Sequence, residues 1–220
     1  NTVLASTASN GVAAVNAAPN GSGYTINIAK APLTYTSGNN TVTFNGTAQS
    51  NSGAVLSSGS IVAGQSFTLS GYATGTNVTD MPIDALSATA NANTNLNNYA
   101  ITFVNGSLSI NPAPLTISGL AANNKTFDRN TNAVISGTPT LAGQIFAGDD
   151  VAIESGSVTQ GVFASSSVSG TNPTPVSVNL DGFVLSNSNY YIQGPTQPLA
   201  ARITAVVTTT APPQNPAPAP

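Results

Sequence analysis

The densest group of side chains able to do chemistry is Asp149-Asp150 with Glu154. Oxygen donors of this kind are what a Ca²⁺ ion takes, in sets of about six to eight. The segment lacks the Asp-x-Asp-x-Asp-Gly spacing that supplies such a set. Gly148-Asp149-Asp150 therefore reads better as a turn in which one Asp caps backbone N–H groups ahead of a strand from Val151. Carboxylates adjacent on a strand point to opposite faces, which also argues against a glycosidase pair. Lys30 and Lys125, in an Asn-rich chain, raise the chemistry of a Lys–Asn isopeptide cross-link. No spacing supports it, and a Lys that discourages pairing at a strand edge accounts for both.

Six Asn-x-Ser/Thr triplets, at Asn20, Asn39, Asn45, Asn77, Asn105 and Asn124, are candidate acceptors for N-linked sugar. All fall in expected turns or strand ends. In a chain so rich in Asn, Ser and Thr, unmodified turn asparagines are the simpler reading. The aromatic residues are scattered about one per strand and include no Trp, which suits a packed core better than an exposed carbohydrate platform.

Composition narrows the chemistry further. The chain has no Cys, His or Trp, so the residues that most often supply nucleophiles, proton shuttles and transition-metal ligands are missing. A non-catalytic protein without cofactor is expected. Four cations and seven carboxylates make 5% charged residues, against a usual share of about 25%. Nucleic acid is an unsuitable partner, since counterion release needs clustered Lys and Arg. With 40% apolar residues and a net charge of -3, the chain differs from disordered segments and can build a core. No run approaches the roughly 20 apolar residues of a membrane span. Asn1-Thr-Val-Leu shows neither an initiator Met nor a signal pattern, so the chain reads as a piece of a longer or processed protein.

The elements that must position these residues are strands. Apolar and polar residues alternate in Tyr24-Thr-Ile-Asn-Ile, Val42-Thr-Phe-Asn, Tyr99-Ala-Ile-Thr-Phe-Val, Leu108-Ser-Ile, Val176-Ser-Val-Asn-Leu and Arg202-Ile-Thr-Ala-Val, the period of a half-buried strand. Asn-Gly at 45–46 and 105–106 and Asp-Gly at 181–182 are tight-hairpin signals. Met81-Pro-Ile-Asp-Ala-Leu could hold one helical turn, but an extended strand Ala85–Ala90 against the strand from Tyr99 fits the flanks better. The fold expected is all-β, with tandem sandwich-like two-layer domains, Ig-like or similar, in a bead-on-string array.

Tyr24 to Tyr35 repeats the plan of Tyr99 to Ile117: a closing strand, then Ala-Pro, then an opening strand. The boundaries follow as 1–30 for the tail strands of a preceding repeat, 31–112 and 113–205 for complete domains, and 206–220 for a Pro- and Thr-rich linker. Tail strands so placed would add to the first domain's sheet or to an edge in a neighbouring molecule, the second route making a polymer.

Ala31-Pro-Leu-Thr with Phe44-Asn-Gly-Thr-Ala, then Leu115-Thr-Ile, Lys125-Thr-Phe-Asp, Ala147-Gly-Asp-Asp-Val and Asn189-Tyr-Tyr, make the chain resemble an MBG-type repeat followed by a YDG-type repeat. Such modules occur in large secreted bacterial exoproteins of the filamentous-haemagglutinin kind. The second unit reads Phe127-Asp128-Arg129 where that family has Tyr-Asp-Gly. Arg takes positive φ less readily than Gly, so a different local turn is expected. The resemblance implies a secreted or cell-surface location and a structural or adhesive role in attachment or biofilm. Its partners would be neighbouring repeats or copies of the chain, and surface glycans or receptors. The alternative is a glycan- or receptor-binding module with loops at one end of a sandwich.

Overall fold

The computed structural model describes residues 13–17 and 24–207. Most of the expected 206–220 linker, Asn20 and much of the 1–30 segment lie outside them. Among the described residues the fold is all-β, the one helical element being a 3-10 turn at Leu96–Asn98. Contacts divide the chain into two compact units, Asn1–Ala113 and Pro114–Pro220.

The first unit opens with β1 (Ala13–Ala17) and β2 (Tyr24–Ile28), which pair antiparallel with each other. The expectation that these strands join the first domain's own sheet is thereby corrected. Closing a short local loop costs less chain entropy than that longer-range pairing. There follow β3 (Ala31–Thr36), β4 (Asn40–Thr43), β5 (Gln49–Ser50), β6 (Val55–Ser58), β7 (Phe67–Ser70) and β8 (Thr74–Gly75). The unit closes with β9 (Ser87–Ala90), β10 (Tyr99–Val104) and β11 (Leu108–Asn111).

β3 is the centre of a three-stranded sheet ordered β10-β3-β6. It buries Ala31, Leu33 and Tyr35 while Pro32, Thr34 and Thr36 face outward, the alternation a pleated strand imposes. Tyr99 joins this core, Tyr35 stacks on Phe103 at 6.2 Å and Phe67 meets Tyr99 edge-on at 5.1 Å. A Leu enclosed as Leu33 is contributes about 2 kcal/mol by leaving water. β3 runs parallel to β10, and β4 parallel to β11.

Two local expectations fail here. Ser87–Ala90 is extended as expected, but it pairs with Phe67–Ser70 and not with the strand from Tyr99, which pairs with β3. Asn105-Gly106 is a crossing point, not a hairpin, since β10 and β11 pair with β3 and β4 rather than with each other. A Cβ on Gly106 would lie 2.0 Å from the Gly38 carbonyl, so glycine serves close backbone approach there.

The second unit comprises β12 (Ala113–Ala122), β13 (Lys125–Thr126), β14 (Asn132–Ala142), β15 (Ile153–Ser155) and β16 (Gln160–Phe163). It continues through β17 (Thr174–Ser177), β18 (Val184–Leu185), β19 (Tyr190–Pro195), β20 (Leu199–Ala201) and β21 (Ile203–Thr204). Six strands form one sheet, β19-β12-β14-β16-β17-β20. Its chain path continues from β12 into β13 and from β20 into β21, and β13 pairs parallel with β21. The sheet thus comes back on itself as a near-barrel around Ala133, Ile135, Phe163, Val176, Ala201 and Ile203.

This replaces the two stacked layers expected from sequence. The cause lies where β12 and β14 cross: the register shifts between Ser118 and Leu120, and Gly119 and Gly137 both hold positive φ, at 79° and 102°. Such a bulge bends and twists the strand that carries it. Among the described residues no helix is long and apolar enough to cross a membrane.

Candidate functional site

Each unit ties a buried tyrosine hydroxyl to a turn. The Tyr190 hydroxyl accepts from the Phe146 N–H at 2.9 Å and donates to Asp149 Oδ2 at 2.6 Å. Burial, and then the bond to Asp149, hold the Tyr190 phenol above its ordinary pKa against the opposing Phe146 N–H. In the first unit the Tyr99 hydroxyl accepts from the Val62 N–H at 3.2 Å and donates to Gln65 Oε1. The turns match: Gln65 N–H donates to Val62 O and Asp149 N–H to Phe146 O. Asp149 is therefore engaged by Tyr190, while Asp150 and Glu154 are exposed. Among the described residues no group of three or more His, Cys, Asp or Glu could hold a metal ion.

A second arrangement also recurs. Asn45 Oδ1 accepts from the Thr47 N–H at 3.0 Å and its hydroxyl at 2.8 Å, around Gly46 at φ 74°. Asp128 Oδ1 accepts from the Asn130 N–H at 3.1 Å, around Arg129 at φ 67°. The expectation of a different turn at Phe127-Asp128-Arg129 is thus corrected. Arg129 adopts the left-handed backbone itself, and Asx side-chain bonding holds it there.

Lys125 braces the same loop. Its Nζ donates to Asp128 Oδ1 at 2.8 Å, Asn130 O at 2.7 Å and Asn130 Oδ1 at 2.8 Å, and lies 5.4 Å from the centre of the Phe163 ring. With three N–H donors all engaged, an ammonium has no lone pair to attack an amide. The bond from Lys125, then the Asn130 N–H, hold the Asp128 carboxyl below its ordinary value. Lys30 is exposed and borders a depression of about 270 Å³ with Leu96, Tyr99, Ile101 and Phe103. A depression of about 300 Å³ on the second unit is lined by Gln160, Gly161, Val162, Ser177, Val178 and Asn179, none of them titratable.

The acceptor asparagines Asn39, Asn45, Asn77, Asn105 and Asn124 are all exposed. Asn39 Oδ1 accepts from the Ser107 N–H at 3.1 Å and hydroxyl at 3.0 Å, and Asn124 Oδ1 from the Arg202 N–H at 2.7 Å. Asn105 Oδ1 accepts from the Leu86 N–H, and Asn77 sits in a turn whose N–H groups at 76 and 77 donate to Asp80. Those two bonds hold the Asp80 carboxyl low. Tyr191 is the one exposed aromatic side chain among those described.

Sequence reasoning missed Asp84, which is 3% exposed. Its carboxylate accepts from Ala73 N–H at 2.7 Å, Gly106 N–H at 3.1 Å and the Asn51 amide at 3.0 and 3.2 Å. Burial pushes this carboxyl up. The bonds from Ala73, Ser37, Asn51 and Gly106 together outweigh burial and leave it below its ordinary value. The available signal was a lone acid within Met81-Pro-Ile-Asp-Ala-Leu, in a chain with few charges.

Fold and site together define an all-β protein of two compact units that share an internal plan of turns and tyrosine bonds. Residues 111–198 match the family model described as the YDG domain. No curated protein and no solved structure matches the chain.

Proposed function

We propose that the chain is a non-catalytic structural and adhesive repeat segment of a protein displayed outside a bacterial cell, serving as stalk or fibre in attachment or biofilm. The observation that carries this reading is recurrence. The tyrosine-to-turn bond, the Asx turn after β4 and after β13, and the parallel pairing of those two strands with the last strand of their unit recur in both units. A repeated module whose polar groups are spent on its own turns suits a spacer better than a site for turnover. The YDG match over residues 111–198 supports the same reading, with the first unit as an MBG-type module of the same array. Low charge fits a surface polymer whose stability is indifferent to salt. Neighbouring repeats or further copies are then the partners.

Immunogold electron microscopy of the source bacterium, with antibody raised to the folded chain, tests the proposal. Label along extracellular fibres or on the cell envelope is expected. Label confined to the cytoplasm would defeat it.

A further inference from the structure

In each unit an early strand lies beside the last one and runs the same way. In the first unit β3 pairs with β10 over six residues and β4 with β11 over four, both parallel. Bonds flank and link these ladders: Ser37 N–H to Val104 O at 2.9 Å, Asn40 N–H to Ser107 O at 2.8 Å and Phe44 N–H to Asn111 O at 2.8 Å. In the second unit β13 runs parallel to β21, flanked by Lys125 N–H to Arg202 O at 2.9 Å and Phe127 N–H to Thr204 O at 2.8 Å. Asn39 and Asn124 add a side-chain staple at the same place in each unit, across to Ser107 and to Arg202.

We infer that each unit is a mechanical clamp, built so that tension along the chain loads in shear the parallel ladder between an early strand and the last one. Beyond the β1–β2 pair, force reaches the first unit's main sheet at the start of β3 and leaves the unit at the end of β11. Because the strands are parallel, those points lie at opposite ends of the ladder, and the two strands are drawn past each other along their length. Parallel-ladder bonds are evenly spaced, so they share that load and must yield together. Were these strands antiparallel, the same tension would peel them apart one bond at a time. The uses of side chains around the clamp agree. The Asx turn at Asn45 or Asp128 follows directly on the loaded strand, and Lys125 fastens that turn in the second unit.

This deepens the stalk reading, on which only its biological use rests; the geometry stands without it. The chain has no cysteine, so thiols can be placed at will. Thr43 and Asn111 are exposed register partners at the far end of the β4–β11 ladder. A single T43C/N111C protein, full length, serves both arms of a single-molecule pulling experiment. Pulled from its chain ends with thiols blocked, it loads the ladder in shear and reports whether the first unit folds. The first-unit event is recognised by release of residues 31–111, about 28 nm of chain at about 3.5 Å per residue. Pulled through the two thiols, the same ladder is peeled.

Forced unfolding is governed by the unfolding barrier, and an unfolding force at least about twofold higher in end-to-end pulling than through the thiols is expected. Equal forces in the two directions, or a lower end-to-end force, would overturn the clamp. Low force in a protein that still labels extracellular fibres removes the clamp and leaves the stalk role. A high end-to-end force in a protein confined to the cytoplasm does the reverse.

Discussion

Asp84 is a buried carboxylate held by hydrogen bonds to backbone and amide groups. Removing it strands the Ala73 and Gly106 N–H groups, at about 1–3 kcal/mol for each unsatisfied group, and takes the carboxylate from the Asn51 amide, which keeps Gly38 O at 3.0 Å. Asp84→Ala should therefore lower the stability of the first unit by about 3 kcal/mol, read from its urea midpoint. The pH dependence follows in sign. The folded carboxyl titrates below the unfolded value of about 3.9, so its stabilisation is complete above that value and is lost as pH falls through the folded pKa. The stability gap between wild type and Asp84→Ala should hold from pH 7 to about 5 and narrow below about 4; a gap that widens with acid would contradict the assignment. Arg129 makes the opposite case, a residue working against its own backbone preference. Its φ of 67° is unfavourable for any residue with a Cβ, and its side chain is exposed. After allowing for the greater freedom of glycine when unfolded, Arg129→Gly should stabilise the second unit by about 0.5–1 kcal/mol. A urea midpoint that falls would show that the Arg side chain does something the backbone argument omits.

At the scale of elements, the bend of the second unit's sheet depends on two facing glycines. A Cβ on Gly137 would lie 1.9 Å from the Gly119 carbonyl oxygen, at a φ of 102° that L residues rarely adopt. Gly137→Ala must push β12 and β14 apart at the bulge, and should cost the second unit at least about 2 kcal/mol. Near-neutral urea unfolding of that variant would mean the sheet closes without the bulge. These glycines also mark the limit of what sequence discloses. Alternation exposes β3, β10 and β11, because a strand with one buried face must alternate. It says nothing of partners. Ala-Pro-Leu-Thr-Tyr carries no sign that it pairs in parallel with a strand near residue 100, and the Asn-Gly and Asp-Gly dipeptides point to local hairpins where the chain makes long-range ladders. The near-barrel escaped for the same reason, since closure is decided by β13 meeting β21 across almost eighty residues. At the site, Gly148-Asp149-Asp150 was legible as a turn, but its lock on Tyr190 needs the fold to bring them together.

For the whole molecule, each unit owns its core. Ala31, Leu33, Tyr35 and Tyr99 belong to one, and Ala133, Ile135, Phe163, Val176, Ala201 and Ile203 to the other. Domains of this size generally unfold in one cooperative step each. Calorimetry should then resolve two transitions, provided the two midpoints differ, and substitutions will sort them. For a domain of this size 1 kcal/mol moves the midpoint by about 4–8 °C, so Asp84→Ala should draw one transition down by at least about 10 °C. The other should stay within about 1 °C, because none of the groups that Asp84 bonds lies in the second unit. Gly137→Ala should do the converse. If either substitution moved both transitions together, the units would be one cooperative body. A tension-bearing array works otherwise: its modules must yield one at a time, so that the failure of one spares the next.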